Sequence, residues 1–166
     1  MISCSGVRLI LALCFLWSAS RVRAQESALS ETKRDSLLAA ASDDASGVLA
    51  ALRQLVEAYP EDVDIRLRLG DVELSSRLFD EAEKTYKKAQ DLDEARPEAY
   101  VGLGRVNVER PSKGTAAFFS YRAALGMAKK ASEIDSTYAL AYLLIGELTE
   151  RFQEDHEKAV ENYLKY

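Results

Sequence analysis

The chain has 166 residues, of which 48% are apolar and 30% are charged, and its formal net charge is −5. This balance is typical of a folded domain, and it excludes a mainly disordered or membrane-embedded chain. The acidic surface disfavours nucleic acid and anionic membranes as partners, since both require clustered Lys and Arg. We therefore predict one folded domain whose partners are neutral or basic.

Residues 1–24 have the pattern of a secretory signal peptide. Arg8 supplies a positive start, residues 9–19 are uncharged and apolar, and Ala24 precedes a cleavage point before Gln25. An apolar run of about a dozen residues is shorter than the roughly 20 needed for a membrane-spanning helix. We predict cleavage, export to the periplasm or outside the cell, and no stable membrane span afterwards. An uncleaved anchor is the alternative.

Both cysteines lie in this leader. Leu13 stands before Cys14 where lipoprotein signals carry a small residue, so lipid anchoring at Cys14 is disfavoured. Cleavage would leave a chain without cysteine, and therefore without disulfides or thiolate metal sites. It would also remove three arginines, which changes the net charge from −5 to −8.

The remaining sequence favours helix, because the chain holds only three prolines and eight glycines and is rich in Ala, Leu, Glu, Lys and Arg. Short polar, Pro- or Gly-containing segments supply the breaks, at 42–44, 60–62, 93–97 and 110–114. The predicted helices are at 30–41, 46–58, 63–75, 79–92, 97–109, 115–134, 138–151 and 156–165.

Two internal patterns recur along these helices. Leu69-Gly70 returns 34 residues later as Leu103-Gly104, and 42 residues after that as Ile145-Gly146. A second pattern of small and large residues follows each of these pairs. Its copies are Ala82, Tyr86 and Ala89; Ala124, Ala128 and Ala131; and Ala159 and Tyr163. A period near 34 residues is typical of stacked helix pairs.

These motifs resemble the tetratricopeptide repeat, whose pattern is W-x2-L-G-x2-Y followed by A-x3-F and Pro. The matches are Tyr100-x2-Leu103-Gly104, Tyr142-x2-Ile145-Gly146 and Ala82-x3-Tyr86. The departures are Arg66, Glu73, Asn107 and Thr149, which stand where the family carries aromatic residues. The resemblance implies an all-α, right-handed superhelical solenoid of about 3.5 to 4 antiparallel helix pairs. The implied repeats are 29–62, 63–96, 97–138 and 139–166.

Glycine inside a helix costs about 1 kcal/mol relative to alanine, so the recurring glycines indicate a close helix contact. We expect Ala82, Ala124 and Ala159 to face these glycines, which would let paired helices approach to about 8 Å.

In the family, the first helix of each repeat lines a concave groove that holds peptides. Repeat phase then implies groove positions at Lys33, Leu67, Asp71, Glu98, Val101, Arg105, Leu143, Glu147 and Glu150. Family members that bind acidic chaperone tails use Lys and Asn there, and the acids Asp71, Glu147 and Glu150 argue against that ligand. The alternative is that these residues form ordinary solvated helix faces.

The eight extra residues of the third repeat lengthen one helix and bring Phe118, Phe119 and Tyr121 together in sequence. Exposed aromatic residues often mark contact surfaces. Packing against a neighbouring helix is the alternative interpretation. We predict a possible aromatic contact patch at these three residues.

The sequence offers no start for a catalytic proposal. His156 is its one histidine, and it holds no nucleophile, zinc or phosphate-loop motif. We predict no enzyme activity, no catalytic residues, no metal and no cofactor.

The predicted function is that of an exported scaffold that binds a protein or peptide in its groove. Tyr163 and Tyr166 would lie uncovered at the last helix, where solenoids normally carry a polar cap. Self-association there is therefore a further expectation. The alternative is the N-terminal recognition or docking module of a longer secreted or envelope enzyme or assembly factor.

Overall fold

The computed structural model describes residues 45–153 and 156–166, and within them every regular element is a helix. The elements are α1 Ala45–Ala58, α2 Val63–Ser75, α3 Phe79–Leu92, α4 Pro97–Glu109, α5 Thr115–Ile134, α6 Ala139–Gln153 and α7 His156–Tyr163. For these helices, every predicted bound lies within two residues of the observed one, and the all-α fold class is confirmed. The leader, the predicted helix at 30–41 and Lys33 lie outside the described residues.

Local chemistry explains several helix ends. Asp62 caps α2 by accepting a 3.0 Å hydrogen bond from the backbone N–H of Ile65. Pro97 is the first residue of α4, where its missing N–H costs nothing. Gly114 precedes α5 with φ 60° and ψ −133°, a conformation open essentially to glycine alone.

The turn between α2 and α3 is closed by backbone hydrogen bonds without glycine. The N–H of Arg77 donates to the Leu74 carbonyl, and the N–H of Leu78 donates to the Glu73 carbonyl. This is the Schellman arrangement, which places the residue after the cap in the left-handed region. Arg77 occupies that position with φ 62°. The tertiary context therefore fixes a conformation that arginine rarely adopts.

The helices form two layers. Each helix packs on its sequence neighbours, and α4 also contacts both α2 and α6. Within residues 45–153 and 156–166, no contact joins α1, α3, α5 and α7 to one another. We call α2, α4 and α6 the inner layer and the others the outer layer. Contacts between helices of the same layer therefore occur in the inner layer and not in the outer layer. Because the inner helices lie closer together, the described part curves with the inner layer on its concave side.

Two apolar clusters lie between the layers. The front core consists of Leu67, Leu74, Ala82, Tyr86, Ala89, Ala99, Leu103 and Val106. The back core consists of Tyr100, Val101, Tyr121, Ala124, Ala128, Ala131, Ala141, Leu144, Ile145 and Leu148. Helix α4 contributes to both, and Met127 packs against both. The core is therefore continuous along the array, as stacked repeats require.

The glycines make room for tyrosine rings, so the expectation that alanines would face them is wrong for Gly70 and Gly146. A Cβ atom built on Gly70 would lie 2.7 Å from Cε1 of Tyr86, and one built on Gly146 would lie 2.6 Å from Cε1 of Tyr163. Tyr86 also lies against Gly102 of the next inner helix. An aromatic ring needs the space of a missing side chain when it crosses between helices.

At Gly104 the expectation is partly right. A Cβ atom there would lie 3.3 Å from the Ala124 carbonyl oxygen and 2.9 Å from Cδ2 of Leu144. The small-large-small pattern of α5 has Ala128 at the place of tyrosine, so Gly104 receives no ring. Backbone contact replaces ring contact at this repeat.

Candidate functional site

The structure places the sequence-predicted groove residues at three levels of burial. Asp71, Arg105, Glu147 and Glu150 are exposed on the inner layer, and Glu98 and Leu143 are half-buried there. Leu67 and Val101 are only 6% and 5% exposed and belong to the front and back cores. Those two side chains support the helices, and they offer little surface to a partner.

Two outer-layer tyrosines reach the inner face with their hydroxyl groups. Tyr86 Oη donates a 2.6 Å hydrogen bond to Oδ1 of Asp71, and Tyr163 Oη donates a 2.7 Å bond to Oε2 of Glu150. Burial, followed by the hydrogen bond to Glu150, raises the pKa of Tyr163 to about 12. Burial and Asp71 raise the pKa of Tyr86 well above its ordinary value. Both phenols therefore stay protonated donors at neutral pH.

Some charged residues of the inner face form salt bridges, and others do not. Arg96 pairs with Asp64 of α2 at 2.6 Å and with Glu98 of α4 at 3.2 Å. Arg105 pairs with Glu109 at 3.0 Å. In the described part of the chain, by contrast, no salt bridge involves Asp71, Glu147 or Glu150.

A cavity of about 420 Å³ opens between α4, α6 and α7, and we call it the acidic cavity. Its apolar wall comes from α4 and α6, and its polar rim carries two carboxylates and a phenol. The lining residues are Val108, Leu144, Glu147, Leu148, Glu150, Arg151 and Tyr163. The Arg151 guanidinium carbon lies 5.4 Å from the ring centre of Phe152. The acidic cavity thus combines apolar surface with carboxylates that form no salt bridge within the described residues.

Sequence reasoning found Glu147 and Glu150 and missed the apolar wall and Tyr163. A signal for Val108 was present, because it follows Val101 and Arg105 at the helical spacing of one face. Tyr163 gave no such signal, since a tyrosine in an outer helix reaches the inner face only past Gly146.

A smaller cavity of about 230 Å³ lies between the α4–α5 turn, the start of α5 and the end of α6. It shares Val108 and Arg151 with the acidic cavity. Tyr121 lines it, and its ring stacks on Phe152 with 4.6 Å between ring centres. The two cavities are therefore neighbours on the same side of α6.

The structure separates the three residues of the predicted aromatic patch into two exposed rings and one buried ring. Phe118 and Phe119 are 54% and 67% exposed and meet edge to face, with ring centres 6.0 Å apart. Tyr121 is buried in the back core, and its hydroxyl has no hydrogen-bond partner among the described residues. Only the two phenylalanines are available for contact.

None of the described helices is both long enough and apolar enough to cross a membrane. The described residues also hold no group of three or more His, Cys, Asp or Glu side chains placed to bind a metal ion.

Comparison with known proteins agrees with this architecture. The family model "Tetratricopeptide repeat" matches residues 37–97. The fold is the tetratricopeptide-repeat solenoid. Such a fold is a scaffold for protein–protein interaction, and tetratricopeptide-repeat proteins are generally not enzymes. A search of curated protein sequences found no match.

Several solved structures share the fold. A crystal structure of MamA is 29% identical over 74% of this chain and 66% of its own, with a TM-score of 0.57. A second MamA structure is 25% identical over 80% of this chain and 70% of its own, with a TM-score of 0.59. A tetratricopeptide protein of Thermus thermophilus is 17% identical over 72% and 64%, with a TM-score of 0.66, and shows the fold alone. The chain thus spans 66% and 70% of the two MamA structures and 64% of the Thermus thermophilus structure.

Proposed function

We propose that the protein is an exported scaffold whose inner layer binds a segment of another protein. The tetratricopeptide-repeat fold supports the general role, and the inner layer presents exposed charged groups beside a cavity. The observation that carries the proposal is the acidic cavity between α4 and α6, where a partner would gain both apolar contact and charge. The excess of acids outside salt bridges favours a neutral or basic segment.

Capture from cell-envelope extract tests groove binding. V108A/E147Q truncates one half-buried apolar residue and removes one exposed carboxylate of the acidic cavity on the inner layer. L92A/E81Q makes the matched change on α3 of the outer layer. The full chain and the outer variant should capture the same protein, and the inner variant should lose it. Equal capture by both variants would remove the inner layer from the proposal.

Export rests on the leader pattern alone and has its own test. Mass spectrometry of the protein recovered from the envelope or the medium should find Gln25 at its N-terminus. An intact Met1 in a cytoplasmic fraction would contradict export without touching the scaffold role.

The pair Phe118 and Phe119 is proposed as a second contact surface. Two exposed rings in edge contact bury much area at a small cost in side-chain entropy when a partner covers them. F118S/F119S should weaken partner capture while leaving the thermal midpoint within about 2 °C, because exposed positions contribute little to the core. A large fall in the midpoint would instead show that the rings support the fold.

Apolar residues of the α7 region favour self-association as a further proposal. Val160 and Leu164 are 55% and 83% exposed. If copies pack through this surface, sedimentation should show a dimer that L164E dissociates. A monomer at all concentrations would exclude it.

A further inference from the structure

We propose that the acidic cavity binds the Lys or Arg side chain of the partner segment. This rests on the proposed scaffold function and specifies the chemistry that its inner layer selects. The cavity has the two parts that such a side chain needs. Half-buried Val108, backed by Leu144 and Leu148 of the back core, provides apolar surface for the methylene stem, and Glu147 and Glu150 provide charge for the cationic end.

The repeat itself offers an internal comparison. Arg105 and Glu147 are equivalent by repeat phase, since each follows the glycine of its Leu-Gly or Ile-Gly pair. Asp71 holds the same position in α2, and at α4 the chain supplies its own cation. Arg105 pairs with Glu109, and its charge acts on the Tyr86 hydroxyl, which donates to Asp71. At α6 the same position carries Glu147, so an acid stands where the preceding repeat has a guanidinium.

The charges that act on the Tyr163 hydroxyl agree with a shortage of positive charge in the acidic cavity. Its hydroxyl bonds Glu150, and the charges acting on it come from Glu150 and Glu147. Tyr86, in contrast, is acted on by Arg105 as well as by acids. Arg151 also lines the cavity, and its guanidinium carbon lies 5.4 Å from the ring centre of Phe152. The lining thus holds two carboxylates and one guanidinium, an excess of negative charge that a basic side chain from a partner would balance.

The volume also fits. About 420 Å³ accommodates a long side chain together with part of the segment that carries it. Apolar walls lower the local dielectric and strengthen the attraction between the carboxylates and a bound cation. A purely apolar side chain would bind less well, because it would displace water from the Glu147 and Glu150 carboxylates without offering them a charge partner.

The probe is an immobilised decapeptide library in which one position at a time is fixed as Lys, Arg, norleucine or Glu. The full chain should retain peptides with Lys or Arg at one position about tenfold better than peptides with norleucine, a ratio that corresponds to about 1.4 kcal/mol. E147Q/E150Q should reduce this ratio to about one. Glutamine keeps an oxygen that can accept the Tyr163 hydrogen bond, so the fold is retained.

Two further variants serve as controls. E57Q/E94Q removes the same charge from exposed positions outside the cavity and should leave the tenfold preference unchanged. E147R gives α6 the arginine that α4 has and should abolish selection of basic peptides.

Three outcomes would overturn the proposal, and they are distinguishable. If peptides bind without a basic preference, the scaffold function stands and the assigned chemistry fails. If the preference persists in E147Q/E150Q, the basic side chain binds elsewhere. If the full chain retains no peptide at all, both the inference and peptide binding by the inner layer fail.

Discussion

The front pair α2/α3 and the back pair α6/α7 carry the same glycine–tyrosine contact in different surroundings. Tyr86 lies between Gly70 and Gly102 of two inner helices and is 1% exposed. Tyr163 lies against Gly146 and is half-buried. One motif thus serves as a core element where an inner helix follows it, and as a cavity wall at α7. The surroundings, more than the motif, determine what the tyrosine contributes.

The largest expected difference between the pairs comes from removing each ring. Y86A should lower the free energy of unfolding by about 3 to 5 kcal/mol, because it leaves a cavity between three helices. Y163A should cost less than half as much, since solvent already reaches that ring. Urea denaturation monitored by circular dichroism measures both. Equal losses would show that enclosure by Gly102 adds nothing.

Replacing the glycines by alanine tests the same difference between the enclosed Tyr86 and the half-buried Tyr163. G102A should destabilise by about 1 to 3 kcal/mol, since its methyl group would overlap the enclosed Tyr86 ring and outweigh the gain in helix propensity. G146A should change stability by less than about 1 kcal/mol, because Tyr163 can move toward solvent. Thermal unfolding of the two variants provides the measurement. A stabilised G102A would contradict the close approach of Tyr86 to α4.

The hydroxyl of Tyr121 offers a test within the back core. It is buried without a hydrogen-bond partner in the described chain, and such a group costs free energy that phenylalanine would not. Y121F should therefore raise the free energy of unfolding by about 1 kcal/mol. Y86F is the opposite control, because it removes the bond to Asp71 and should destabilise. Destabilisation by Y121F would mean that its hydroxyl has a partner in solution.

The smallest effect is expected at alkaline pH. The pKa of Tyr163 is raised from 10.0 to about 12, so the unfolded chain loses this proton first. Its contribution to stability is fully present below about pH 10 and is lost as the pH rises toward about 12. Y163F should therefore show a shallower fall in thermal midpoint between about pH 9 and pH 11.5 than the parent chain. An identical slope would argue against the raised pKa.

Much of the fold could be predicted because helix formation is local. The recurring Leu-Gly and Ala-x3-Tyr patterns, with Pro60, Pro97 and Gly114 between them, indicated the helices and their ends. The left-handed Arg77 gave no signal, since its conformation comes from hydrogen bonds made between the end of α2 and the start of α3.

The candidate site was predicted less completely. The position within the repeat correctly predicted the charged residues of the inner layer, but Leu67 and Val101 proved to be core residues. Adjacent positions of a helix point in different directions, so an error of one position exchanges a groove residue for a core residue. Tyr121 could have been assigned to the core from its helical spacing to Ala124 and Ala128. The exposed Phe119 falls outside that spacing, whereas Phe118, three residues before Tyr121, fits it and is exposed all the same.

Sequence alone determined the helical class, the repeat and the acidic character of the chain, since composition and periodicity act along the backbone. The tertiary structure decided that tyrosine rings, and not alanines, fill the spaces at Gly70 and Gly146. It also placed Glu147, whose counterpart in the preceding repeat is Arg105, in the lining of a cavity. Those outcomes depend on how neighbouring helices are rotated and spaced. Rotation and spacing are set by the packing of side chains that are distant in the sequence.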